Sequence, residues 1–162
     1  MTKFFLAVHV LAAILAVGPV AVAASMFPAA ARRLSDQGAA EQGTPTGGVA
    51  TLRVLHRICR VYAVAGLAVP VFGFATASGL GVLRDAWVIA SILLTAAAAA
   101  ILALAVLPRQ DAVIARLTTG DSTPADAAGG VARLAMPTGV FNLLWAAVTV
   151  LMIVRPGSTT GV

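Results

Sequence analysis

No carboxylate falls inside any of the long apolar runs of this sequence. Its six acids are Asp36, Glu41, Asp85, Asp111, Asp121 and Asp126, and all of them lie in the polar segments between runs. A proton-coupled transporter normally places a carboxylate or a histidine inside its bundle, so this absence leaves only His9 for such work. Ser, His and Asp converge nowhere along the chain, and no catalytic constellation is found. Cysteine occurs once, at Cys59, which excludes an internal disulfide. Charged residues make up 10% of the 162, where soluble domains carry about 25%. The net charge of +5 is not read as a nucleic-acid footprint, because the basic residues flank apolar spans and no soluble domain carries a binding face.

What is abundant is apolar sequence. Hydrophobic residues are 60% of the chain and the mean hydropathy is +0.97. Four runs are long enough to cross a bilayer, for which about 20 residues suffice. They cover residues 4–27, 52–81, 86–107 and 132–154. The first competes with a signal peptide, since Lys3 precedes it and Val22, Ala23 and Ala24 are small. Its length, its histidine and Gly18-Pro19 favour a span. The second is basic at its start and then uncharged from Val61 to Leu80, with Gly66, Pro70, Gly73 and Gly79 inside. Neighbouring helices in a membrane tolerate that pattern. Trp87 opens the third as an interfacial anchor. Its alanines 96–100 permit close helix approach. The expected fold is all-α, a four-helix antiparallel transmembrane bundle forming one domain over residues 1–162.

Between the spans, residues 28–51 and 108–131 read as long loops. Ala29 to Leu34 extend the first helix by a turn or two. The glycines and Pro45 beyond argue for a mobile connection. Val113, Ile114 and Leu117, interleaved with Arg109, Asp111 and Arg116, suggest a short amphipathic helix on the membrane surface. The loops and adjoining helix ends carry eight basic residues, Arg32, Arg33, Arg53, Arg57, Arg60, Arg109, Arg116 and Arg133. The opposite face carries three, Lys3, Arg84 and Arg155. Positive residues mark the cytoplasmic side, so both termini are expected outside.

Depth follows from a rise of about 1.5 Å per residue. His9 falls level with Gly73, about 25 Å from His56 at the foot of the second span, which excludes both histidines from one haem within a subunit. Met152, Thr149, Ser91 and Thr76 share the His9 layer. His9 with Met152 is the candidate cofactor or metal site, for haem or monovalent copper. The competing reading is a packed histidine bonded to a neighbouring carbonyl. At mid-depth Pro19 and Pro70 free the carbonyls of Leu15 and Gly66, and Asn142 is read as the structural polar group that satisfies them. Arg53, His56, Arg57 and Arg60 are read as a site for anionic lipid headgroups, and the arginines there oppose metal binding near Cys59.

The stretch His9-Val10-Leu11-Ala12-Ala13-Ile14-Leu15-Ala16-Val17-Gly18, the entry Leu55-His56-Arg57 and the four-span layout together resemble a bacterial family of predicted integral membrane proteins, domain of unknown function 2269. That resemblance implies a bacterial inner-membrane location and supplies no activity. The histidine-led first helix is also similar to copper resistance D membrane domains and to the membrane-type protoporphyrinogen oxidase. Those usually carry Trp and Gly-Gly or Ala-Gly after the histidine, where Ala16, Gly18 and Pro19 stand here. The expectation is a structural or accessory membrane protein rather than an enzyme. A haem- or copper-binding protein and a small transporter are the alternatives. Expected partners are the bilayer and anionic lipids, with a second copy or a membrane complex as further candidates.

Overall fold

The computed structural model describes residues 1–40, 46–119 and 124–157, with the side chains of 36–40, 46 and 124–128 left aside. Every element among these residues is helical: α1 (Thr2–Ala40), α2 (Thr46–Ala65), α3 (Ala68–Leu80), α4 (Ala86–Ile101), a π-turn (Leu102–Val106), α5 (Leu107–Thr119) and α6 (Pro124–Val154). They form four antiparallel rods. The first is α1, the second α2 with α3, the third α4 through α5, and the fourth α6. Each rod contains a helix long and apolar enough to cross a membrane, over Thr2–Ser35, Gly47–Leu80, Ala86–Thr119 and Gly129–Val154.

The rods are longer than a bilayer crossing requires. Three of these stretches are 34 residues, about 51 Å, against a hydrocarbon core of about 30 Å. Their ends at Thr2, Leu80, Ala86 and Val154 bring the spans to one level at the terminus-side end. The opposite end is here called the foot. Residues 28–51 and 108–131, expected as loops, are helical over most of what is described. The reason is that their apolar residues are buried in a shared core with Leu52 and Leu134: Ala31, Leu34, Val49, Val113 and Val131 are all nearly inaccessible. Gly48, read from sequence as a sign of mobility, instead lets α2 approach α1; a methyl group there would run into the Leu34 side chain. The expected surface helix around Val113 exists as α5, but it continues the third rod and buries Val113 in the foot rather than lying apart on a membrane.

Glycines set the register of the first two rods. A Cβ at Gly79 would meet Thr2, at Gly73 it would meet His9, and at Gly66 it would reach Ala16. The α1 positions 2, 9 and 16 recur every seven residues, so one stripe of α1 lies along the glycine face of α2 and α3. The small-residue face of the second span is thus used within the bundle. Between α2 and α3 the helix breaks at Gly66 and Leu67. Pro70 has no N–H to offer the Gly66 carbonyl, which accepts instead from the Val69 N–H at 3.0 Å.

The π-turn has a geometric consequence. Ala98 and Gln110, 12 positions apart, are both fully buried. In an unbroken α-helix at about 100° per residue they would sit about 120° apart. A π-turn, whose Leu107 N–H reaches the Leu102 carbonyl, absorbs one residue and returns the face to the core. Gln110 rather than Arg109 then points inward.

Candidate functional site

Two polar sites lie at opposite ends of the bundle. At the foot, α2 supplies His56 and Cys59 on its inner face, while α5 supplies Gln110 and Asp111. His56 is buried, and its Nδ1 lies 3.0 Å from Gln110 Oε1. An amide oxygen only accepts, so the Nδ1 proton is donated to it. The Gln110 amide nitrogen faces the Cys59 sulfur at 3.7 Å. On the other side of the ring, His56 Nε2 lies 2.9 Å from Asp111 Oδ1, at ion-pair distance but without the alignment of a hydrogen bond. The set ties α2 to α5 across the foot. Cys59 is completely inaccessible and presents no reactive thiol to solvent.

The residues read from sequence as one headgroup site therefore divide. Arg53, Arg57 and Arg60 face outward, while His56 faces inward and is engaged by Gln110. Gln110 was not singled out from sequence. The available signal was a lone amide in the otherwise apolar series Leu102, Val106, Val113 and Leu117, and reading it required the register change at the π-turn.

At the terminus-side end, His9 lies level with Gly73, as the depth count predicts. Its Nδ1 is 2.8 Å from the Val69 carbonyl, and its ring packs on Gly73, where a Cβ would come within 2.8 Å of Cε1. Its partner is thus a backbone carbonyl of the second rod. Met152 packs in a separate cluster with Ala77, Trp87 and Val88. The hydroxyls of that layer bond back along their own helices: Thr76 to the Phe72 carbonyl, Ser91 to Trp87 and Thr149 to Trp145. Among the described residues, no hydrogen bond joins His9 to Met152. Among the described residues, no group of three or more His, Cys, Asp or Glu side chains is placed to hold a metal ion.

Asn142 takes a different partner from the one its depth suggests. Its Nδ2 donates to Ser25 Oγ at 2.9 Å, joining α6 to α1, and its Oδ1 is buried without a hydrogen bond. Near the termini, Trp87 Nε1 donates to Asp85 Oδ2 at 3.2 Å, and the Arg155 guanidinium stands 5.8 Å from the Trp87 ring centre. Trp87 itself is buried against Ala77 and Val88. No family model, curated protein or solved structure matches the chain.

Proposed function

We propose that this is a multi-pass membrane protein without a catalytic site, structural or accessory to a larger membrane complex. We place it in a bacterial inner membrane with the foot in the cytoplasm and both termini outside. The observation that carries the non-enzymatic reading is the position of His9. It is the ionisable group of the first span, and it is held on the Val69 carbonyl with its ring against Gly73. An imidazole so engaged serves the packing of two helices, in keeping with the back-bonded hydroxyls around it. The eight basic residues gathered at the foot support the orientation. The family that the first helix resembles likewise supplies no activity.

The test is the visible spectrum and metal content of the purified protein. A colourless preparation without stoichiometric copper or iron is expected. A Soret band, or copper lost on His9→Gln and retained on His56→Gln, would overturn the reading in favour of a His9 cofactor site.

A further inference from the structure

The outer face of the second rod carries one continuous stripe. Arg53, Arg57, Arg60 and Val64 follow one another in steps of four and three along α2, the spacing of a single helix face, and exposed Leu67 and Val71 continue the series past the break into α3. All six are exposed; Val64, Leu67 and Val71 are 60–70% accessible. The polar half of the stripe ends where the apolar half begins.

That boundary falls at a defined depth. Arg60 is 20 residues from Leu80, the terminus-side end of the rod, and 20 residues rise about 30 Å. This equals the thickness of the hydrocarbon core, so Arg60 stands at its far edge. Arg57 and Arg53 lie one and two turns further out, among the headgroups. No described side chain pairs with any of the three. An arginine fork matches phosphate with two parallel hydrogen bonds.

Resting on the membrane reading above, we propose that this stripe is a binding site for one anionic phospholipid. The headgroup phosphate lies on Arg53, Arg57 and Arg60, and an acyl chain runs along Val64, Leu67 and Val71. Charge complementarity favours a lipid over a second copy of the chain. A two-fold contact between copies in the same membrane orientation would bring the two arginine triads face to face.

The test uses the full-length protein in nanodiscs of mixed phosphatidylglycerol and phosphatidylcholine, with retained lipid counted by native mass spectrometry. Phosphatidylglycerol should be retained preferentially. The preference should fall about fivefold for each arginine changed to glutamine in R53Q, R57Q and R60Q. The R53K/R57K/R60K variant should keep part of it, and the R32Q/R33Q control should keep all of it. Helical circular dichroism verifies that each variant is folded. Equal retention of both lipids, or an unchanged preference in the triple glutamine variant, overturns the proposal and leaves the membrane reading standing. Retention of free glycerol phosphate as strong as that of the lipid also overturns it, in favour of a plain anion site. A stripe occupied by a second copy, seen as a dimer that the triple glutamine variant strengthens, does the same. Failure to enter nanodiscs at all overturns both readings.

Discussion

The foot and the terminus-side half of this bundle are built from the same residue types and do different things with them. In the foot, large side chains are inside: Phe27, Leu52 and Leu134 are completely buried. In the terminus-side half, many large side chains are outside. Leu15, Phe74 and Leu93 are 58–65% accessible, and glycines form the contact between the first two rods, while Trp87 and Val88 are buried in a small cluster of their own. Lipid tails are as apolar as leucine, so inside the bilayer nothing drives large side chains inward, and close backbone approach decides the packing. Where helices stand in water the ordinary hydrophobic effect acts, and large side chains pack into an ordinary core of the kind the foot has. The polar groups follow the same division. His9 answers to a backbone carbonyl, whereas His56 answers to the side chains of another rod.

This contrast predicts unequal responses to truncation to alanine, measured by denaturation in mild detergent. Phe27→Ala should show the largest loss, about 3–5 kcal/mol, because it leaves a cavity in a packed core. Leu15→Ala, on the exposed face, should stay within about 0.5 kcal/mol. Equal losses at the two positions would erase the distinction between the halves.

The next effect concerns the polar sets. Gln110→Leu should cost about 1–3 kcal/mol by leaving the buried His56 N–H without its acceptor. Pairing it with His56→Leu should recover part of that loss, since both polar partners are then gone. Simple additivity in the double variant would mean that the two do not interact. Gly73→Val should displace the His9 ring from the Val69 carbonyl and cost about 1–3 kcal/mol. In His9→Ala the same valine should cost less, because the ring it collides with is absent. Asp111→Asn should be smallest, within about 1 kcal/mol, because the carboxylate is 64% exposed and screened. A larger effect there would place Asp111 among the groups that hold the foot together.

Much of the terminus-side half was legible in the sequence. Four apolar runs separated by polar segments defined four spans, and residue counting alone brought His9 to Gly73. Rise per residue is fixed, so depth transfers directly from numbering. The foot was less legible for three physical reasons. Gly47 and Gly48 read as loop residues by propensity, yet Gly48 makes room for Leu34. The apolar positions of residues 28–34, 113–119 and 129–134 are individually sparse, and their helices become stable only by packing on one another. The inward direction of Gln110 depends on a π-turn, and a count at 3.6 residues per turn carries the wrong face forward through it. Asn142 illustrates a further limit. Depth placed it near the prolines, but the local break at Gly66 let the backbone satisfy its own carbonyl, and Asn142 turned to Ser25 instead.

The division between the halves is tested most directly by scanning spin labels for collision with oxygen, which dissolves in lipid, and with a water-soluble nickel chelate. Labels at Leu15, Val71 and Leu93 should report oxygen and exclude the chelate. Labels through residues 107–119 should meet the chelate with helical periodicity, open at Ala112 and Ala115 and closed at Gln110 and Val113. Uniform chelate access across 107–119, or chelate contact at Leu15, would contradict a lipid-facing bundle standing on a packed helical foot.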